Sequence, residues 1–413
     1  MSSVLPYDVI VQIIDNVGET NDLNLIKELA LVSHSFRQIC AKHLFATVYL
    51  HDDVPMRQAS SKKGFVKLLK RRPDIVKHIR KLTYKVEYDH RFQSTRSLHT
   101  YPCDYYDDNR LSPILPDFLR TISFLNCLTI TAPRLVDWNI VDSSLTSAFL
   151  HLMHLPTINH IDLSFIENFP LSSLTSTTSV NLRRLDISNL SLEEDDSPET
   201  VVLSGMMPRL REFNTRESSE LTTKLLSAKT RDGQPALNFM DLRRLTISSF
   251  FISNEEWNLR YLLRNSKLIE KLHLSVGSPL GLEGLHDILS PSASTLKELD
   301  LTVRLYSPGP LAELCVGLEA MAGHNILESL SIVVFADGSE TADFVGSAFQ
   351  EVEEVLVKPE WFALRQVTFE VVIDASWATE LYEALQSLPD KYLSHLPKLE
   401  SIAFDYECYL DDE

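Results

Sequence analysis

The amino-acid sequence predicts an α/β protein in which a short helical region at the N-terminus precedes a long array of strand–helix repeats. Two observations predict this. Apolar residues recur at helical spacing within the first fifty residues. From about residue 79 onward a short strand pattern, L-x-x-L-x-L or a close variant, recurs eleven times, with amphipathic helical stretches between the copies.

The composition excludes several classes of protein. The chain has 413 residues and a formal net charge of −18, because 57 acidic residues outnumber 39 basic ones. This balance disfavours binding to the backbone of nucleic acids or to an anionic membrane. The five cysteines are scattered without a CxxC pair, which is typical of a reducing compartment. Neither a signal peptide nor an apolar run of about 18 residues is visible, so we expect a soluble protein of the cytoplasm, the nucleus or both.

Three short helices are predicted in residues 5–45. Pro6 and Asp8 suit the first turn of a helix. The segment from Gly18 to Asn21 interrupts the first apolar pattern, and Ser33 interrupts the second. The apolar side chains are more numerous than three short helices need for themselves, so some of them must pack on the rest of the chain or on a partner.

This region resembles the F-box, and in particular the F-box-like proteins of mushroom-forming fungi. The resemblance is carried by Leu5-Pro6 with a carboxylate at Asp8, by the apolar pairs Val9-Ile10 and Ile13-Ile14, and by Leu-Val-Ser-x-Ser-Phe over residues 31–36. Two features depart from the family pattern: Phe36 stands where the family often has tryptophan, and the loop between the first two helices is longer.

The resemblance implies that residues 1–50 bind the Skp adaptor of an SCF-type cullin–RING ubiquitin ligase. Apolar helix faces would press onto a partner helix, with the binding energy concentrated in a few anchors. The implied adaptor-binding residues are Leu5, Pro6, Val9, Ile13, Ile14, Leu29, Val32 and Phe36. The alternative is a helical cap that only closes one end of the repeat array.

Residues 51–78 are predicted to form a basic linker helix. The Lys-Arg-Arg-Pro sequence at residues 70–73 could serve nuclear import or nucleic-acid binding. A solvated helix face is the favoured interpretation, because Phe65, Val66, Leu68 and Leu69 form an apolar stripe and Pro73 ends the helix.

The remaining region, residues 79–413, is predicted to be one continuous domain. The central residues of the eleven copies run from Leu82 to Ile402, a mean spacing of 32 residues over ten intervals. A strand and a helix in each unit are typical of a leucine-rich-repeat solenoid, although such repeats usually span about 20–29 residues. The predicted fold class is therefore a three-helix F-box followed by an irregular leucine-rich-repeat-like α/β solenoid.

The outward positions on the predicted strands form two rows of side chains. The row just before each central residue is basic in its middle, and the row just after it carries several aspartates. The candidate target-binding residues are Arg184, Asp186, Arg244, Lys271 and Asp300. In the alternative interpretation these charges neutralise one another on a solvated sheet face.

No catalytic, cofactor or metal motif is present. GxSxG, HExxH, P-loop and GxGxxG patterns are absent. His151, His154 and His160 cluster in the sequence, but without a nearby cysteine or a spaced carboxylate they do not predict a metal site. We therefore expect no enzyme activity, no cofactor and no metal ion.

These expectations combine into a substrate-recognition subunit of an SCF-type ubiquitin ligase. The N-terminal helices would bind the adaptor, and through it a cullin, while the repeats hold a target protein that the sequence does not identify. Two alternatives stay open: a repeat scaffold whose N-terminal helices only cap the array, and an enzyme with an unrecognised site in the array.

Overall fold

The chain divides into two compact units, each made of two ranges of the sequence. Unit 1 comprises Met1–Leu182 and Asn189–Asp196, and unit 2 comprises Arg183–Ser188 and Ser197–Glu413. A computed structural model describes residues 6–20, 22–51, 62–86, 114–175, 180–192, 207–229, 233–249, 260–262, 264–276, 285–304, 309–323, 325–336, 341–374 and 379–411.

In unit 1, three helices precede a parallel sheet in which β1 pairs with β2, β2 with β3 and β3 with β4. The strands are β1 (Thr47–Leu50), β2 (Lys81–Lys85), β3 (Cys127–Asp137) and β4 (His160–Phe169). The helices are α1 (Tyr7–Glu19), α2 (Leu23–Val32), α3 (His34–Leu44), α4 (Lys62–Arg71), α5 (Ile114–Thr121), α6 (Ser143–Met153) and α7 (Ser172–Thr175), with 3-10 turns at Pro73–His78 and Trp138–Ile140.

In unit 2, parallel strands again pair in chain order, from the first residues of β5 to β12. The strands are β5 (Arg184–Leu192), β6 (Glu212–Arg216), β7 (Arg244–Ser249), β8 (Lys271–Val276), β9 (Glu298–Arg304), β10 (Ser329–Ala336), β11 (Gln366–Asp374) and β12 (Ala403–Asp411). The helices are α8 (Ser219–Ser227), α9 (Leu285–Leu289), α10 (Gly309–Met321), α11 (Ala342–Leu356), α12 (Thr379–Gln386) and α13 (Leu388–Tyr392), with 3-10 turns at Ser290–Ser292 and Leu396–Lys398.

The register of each sheet is set by a row of buried aliphatic side chains. In unit 1, Leu82 lies opposite Leu128, and Leu128 lies opposite Ile161; all three are completely buried. In unit 2, Leu272 likewise lies opposite Leu299, and both are buried. Because side chains alternate between the two faces of a strand, this pairing also fixes which residues face outward.

All eleven predicted strand elements lie on or next to strands, but the last one has a different register. Ile402 is the central residue of the last copy of the pattern, but Phe404, not Ile402, lies opposite Val367. The register differs by two residues, and side chains two positions apart point to the same face of a strand. The buried residues of this strand therefore still face inward. The aromatic ring of Phe404 packs against Phe369 at a centroid distance of 5.7 Å, and this contact favours the observed register.

The predicted fold class needs correction in two respects. A helical N-terminus followed by a separate array from Ile79 does not describe the chain, because β1 follows α3 directly and pairs with β2. The repeats do not form one continuous solenoid domain, because the chain divides into two units near residue 183. The observed class is an α/β fold in which parallel strands alternate with helices. The domain limits at residues 50 and 78 stay predictions.

Helix α4 buries the apolar stripe of the basic segment. Phe65, Val66 and Leu69 are buried, and Lys62 extends its ammonium group to 4.2 Å from the ring centroid of Tyr84. The aliphatic stem of Lys62 and its contact with the ring explain how a lysine can be buried here.

The three N-terminal helices share a small core of their own. It contains Ile14, Ile26, Ala30, Ile39 and Cys40. The Asp22 carboxylate accepts a hydrogen bond from the Leu25 amide, and the Ser33 hydroxyl accepts one from the Phe36 amide. These bonds cap α2 and α3 and satisfy amide groups that the helices leave free.

Helices α1 and α3 are in contact around His43. Asp15 accepts a hydrogen bond from Lys42 at 2.6 Å, and His43 Nε2 lies 2.8 Å from the same carboxylate. The Lys42 hydrogen bond lowers the pKa of Asp15 and outweighs the opposing effect of burial. A methyl group on Gly18 would lie only 2.1 Å from His43 Nδ1, so α1 needs glycine at this position.

We predict that Gly18→Ala destabilises the protein by about 1–3 kcal/mol, because the added methyl overpacks the contact with His43. In a His43→Ala background the ring is gone. There the same substitution should be neutral or stabilising by up to about 1 kcal/mol, since alanine is the better helix former. Urea unfolding of the four proteins, followed by circular dichroism, measures this cycle. Equal destabilisation in both backgrounds would contradict the proposed clash.

In unit 2, a buried carboxylate joins α11 to the last 3-10 turn. Glu353 is 1% exposed, and its Oε1 accepts hydrogen bonds from the amides of His395 and Leu396, both at 2.8 Å. His395 Nδ1 lies 3.3 Å from Oε2. A carboxylate at the start of a helical turn satisfies amide groups that otherwise lack partners.

We expect Glu353→Ala to destabilise unit 2 by about 2–4 kcal/mol, because each amide left without a partner costs about 1–3 kcal/mol. Glu353→Gln should cost less, since its side-chain oxygen still accepts a hydrogen bond. Glu354→Ala is the matched control: this neighbour on the same helix is exposed, and its loss should change stability by less than about 0.5 kcal/mol. Similar unfolding midpoints for the two alanine variants would show that the buried carboxylate is not stabilising.

Candidate functional site

The exposed face of the unit 2 sheet carries two rows of polar side chains. In the first row, the strands from β5 to β9 align Arg184, Glu212, Arg244, Lys271 and Glu298. Two residues further along the same strands, the second row aligns Asp186, Asn214, Thr246, His273 and Asp300. The predicted alignment of these outward positions is therefore observed.

Ion pairs in the first row run mainly from strand to strand. Glu212 lies between two arginines, with Arg184 at 3.4 Å and Arg244 at 2.5 Å. Lys271 pairs with Glu298 at 2.5 Å. Acidic residues within the row thus neutralise much of its positive charge. Glu212 and Glu298 were not among the candidate residues, although the alternation of charge sign along the row could have indicated them.

The second row makes fewer ion pairs. Asp186 receives hydrogen bonds from Arg184 Nε at 2.8 Å and from Asn214 Nδ2 at 2.5 Å. Asp300 lies 3.9 Å from His273 Nδ1, which is a charge pair only when the imidazole is protonated. The interaction expected between the two rows is therefore present at Arg184 and Asp186, while Arg244 and Lys271 pair with glutamates of their own row.

A shallow groove of about 240 Å³ lies over these strands. Its polar walls come from both rows, whereas Leu245 and Leu272, which also border it, are each only 1% exposed. Its lining residues are Arg184, Glu212, Asn214, Arg244, Leu245, Thr246, Lys271, Leu272, His273 and Asp300. The groove thus brings together four of the five candidate target-binding residues. The fifth, Asp186, does not line the groove but forms an ion pair with Arg184.

Arg244 and Lys271 are the distinctive feature of this groove. They occupy directly paired positions on β7 and β8, and their side chains are 54% and 48% exposed. Like charges at paired positions repel each other. Their carboxylate partners, Glu212 and Glu298, lie on β6 and β9, the two strands that flank β7 and β8. The space between the two cations suits an anionic oxygen from outside the chain.

The N-terminal helices present an apolar surface that only partly matches the implied adaptor-binding residues. Val9, Ile13 and Val32 are exposed, at 38%, 47% and 64%. Pro6 is also exposed, while Leu29 and Phe36 pack partly against the helical core. The surface also includes apolar side chains that were not predicted: Tyr7, Leu23, Leu25 and Leu31.

One implied adaptor contact is wrong. Ile14 is completely buried in the core of the three helices, so its side chain has no surface to offer a partner. Ile14 follows Ile13 in the helix and is rotated by about 100° around the helix axis, so that only Ile13 is exposed. Because the two residues are identical, the sequence does not show which of them is buried. Leu5 lies outside the described residues.

Metal binding and membrane insertion are two further properties that the described part of the chain allows us to test. No cluster of three or more His, Cys, Asp or Glu side chains there could hold a metal ion. Burial lowers the pKa of His154, one member of the histidine pair noted in the sequence. Among the described helices, none combines the length and apolar character that crossing a bilayer requires.

Comparison with known proteins gives no family. No family model matches the sequence, and no curated protein matches it. Among solved structures, the arginine decarboxylase of Paramecium bursaria Chlorella virus is similar over 48% of this chain and 51% of that one, with 12% sequence identity and a TM-score of 0.23. This chain therefore spans about half the length of that enzyme.

The prediction of a substrate-recognition subunit of an SCF-type ubiquitin ligase is corrected, and so is the prediction that the chain is not an enzyme. No family model supports an F-box or a leucine-rich repeat, and the similar solved structure is that of an enzyme. A TM-score of 0.23 assigns neither a fold nor an activity to this chain. The resemblance of residues 5–36 to the F-box and the binding of a Skp adaptor stay predictions.

Proposed function

We propose that the exposed sheet face of unit 2 binds a segment of another protein and takes up one of its carboxylates between Arg244 and Lys271. The observation that carries this proposal is the pair of cations at directly opposed positions in the middle of a polar groove. Natural sheets avoid like charges at such positions because the repulsion is destabilising. A ligand carboxylate would relieve that repulsion.

The polar surroundings favour a protein segment as the ligand. Thr246 and Asn214 offer hydrogen bonds along the second row. Exposed ion pairs contribute only about 0–1 kcal/mol each. A ligand carboxylate can therefore replace Glu212 or Glu298 as the partner of Arg244 or Lys271 at little cost in free energy. The charge of the face is balanced, so the favoured ligand carries both signs.

The spacing of the strands suggests the pattern of charges in the ligand. Neighbouring strands lie about 4.8 Å apart, and an extended peptide advances about 3.4 Å per residue. Asp300 lies on the next strand after that of Lys271, in the second row. A segment crossing the strands would therefore place a basic residue one to three positions from its central acidic residue.

A random peptide library displayed on phage tests this proposal with the full-length protein as bait. We expect enriched peptides to contain Asp or Glu with a nearby Lys or Arg. Their binding should weaken as salt is raised from 0.05 M to 0.5 M, because ions screen exposed charges. The double reversal Arg244→Glu with Lys271→Glu should weaken peptide binding by at least about tenfold, or about 1.4 kcal/mol.

The matched control is the double reversal Lys358→Glu with Lys391→Glu. It changes the net charge equally and also removes two exposed ion pairs in unit 2, with Glu319 and Asp343. Neither lysine lines the groove. The proposal is wrong if both double variants bind the enriched peptides equally, or if the selected peptides lack acidic residues.

A further inference from the structure

A cysteine and a histidine lie side by side on the exposed face of the unit 1 sheet. Cys127 on β3 is paired in register with His160 on β4, and Cys127 Sγ lies 3.2 Å from His160 Nδ1. Both side chains are partly exposed. The distance is within hydrogen-bonding range for sulfur, so the imidazole can accept the thiol proton and then stabilise the thiolate as a cation.

A second cation flanks the thiol on the other side. Lys81 on β2 is paired in register with Cys127 and is exposed. Among the described residues, the charged or titratable groups on the neighbouring strands of this face include Lys81 and Lys85 on β2 and His160 and Asp162 on β4. Asp162 lies two residues beyond His160 on the same face of the strand and lies opposite Thr129. Two basic groups therefore occupy the positions directly paired with Cys127 on the neighbouring strands.

The other described cysteines lack this environment. Cys40 is completely buried, and burial raises the pKa of its thiol. Burial raises the pKa of Cys315 to about 12 and that of Cys408 to about 11. Nearby Glu351 and Glu319 add to the shift at Cys315. These three thiols stay protonated near neutral pH and react slowly.

We propose that Cys127 is a reactive thiol that exchanges with small-molecule disulfides, and that His160 activates it. His160 takes the thiol proton, and the Cys127 thiolate attacks one sulfur of the small disulfide. A bond forms between Cys127 Sγ and that sulfur while the disulfide bond breaks. The departing sulfur carries away the electron pair as a thiolate and is protonated by His160 or by water. Cys127 is thereby oxidised to a mixed disulfide, and the other half of the reagent is reduced.

The experiment uses 5,5′-dithiobis(2-nitrobenzoate) as the small disulfide and the full-length protein. The reaction is stopped by alkylation at successive times, and peptide mass spectrometry assigns a rate to each cysteine separately. At pH 6.5 we expect Cys127 to react at least about tenfold faster than a free cysteine of ordinary pKa, about 8.5. The same rates are measured over a range of pH to give a pH–rate profile for Cys127.

His160→Asn should slow Cys127 at least about tenfold at pH 6.5 and restore most of the rate above pH 9, where a thiol ionises without help. Lys81→Gln should produce a smaller shift in the same direction, of about threefold at pH 6.5. His151→Gln is the control, because this exposed histidine lies on α6, away from the strand pair. It should leave the profile of Cys127 unchanged.

An ordinary rate for Cys127 at pH 6.5 in the wild-type protein would overturn the proposal. So would a pH–rate profile that His160→Asn leaves unmoved. If His160→Asn fails to fold, the wild-type profile and the Lys81→Gln shift still decide the outcome, since Lys81 is exposed and its substitution removes no buried contact.

Discussion

The pairing of buried aliphatic residues from strand to strand is the constraint on which the rest of the structure depends. Leu128 opposite Ile161 and Leu272 opposite Leu299 each bury both side chains completely or almost completely. A slip of one residue would turn every such side chain to solvent and every polar neighbour to the core. Burial of a leucine is worth about 1.5–3 kcal/mol, so a slipped sheet loses far more than any polar contact can return.

The register that the buried residues impose also decides which polar side chains become neighbours on the exposed face. Parallel neighbours lie about 4.8 Å apart, so two outward residues flanking paired core residues must meet. This brings Cys127 to His160 in unit 1 and sets Arg244 beside Lys271 in unit 2. Neither pair is close in sequence, since 33 residues separate the first and 27 separate the second. The polar surface of each sheet is thus dictated by residues on its opposite face.

This dependence explains what the sequence could predict. The L-x-x-L-x-L pattern locates the strands and most of their register, because it is a direct record of burial. It does not predict that Phe404 replaces Ile402 opposite Val367, since both residues are apolar and face the same side. Nor does it predict which acid each base contacts: the long side chain of Arg244 reaches Glu212 on the preceding strand. Ile13 and Ile14 differ only by rotation about the helix axis, which composition does not reveal.

Burial also separates the carboxylates of unit 2 into two kinds. Glu353 is enclosed and accepts two amide hydrogen bonds, so exchanging its partners would leave buried amides unsatisfied. Glu212 and Glu298 lie on the open face of the sheet, where water replaces a lost partner and each pair contributes about 0–1 kcal/mol. The first kind can stabilise the fold but cannot respond to a ligand. The ion pairs of the second kind contribute little to stability. Arg244 and Lys271 can therefore turn from Glu212 and Glu298 toward an incoming carboxylate, and the strand register stays fixed.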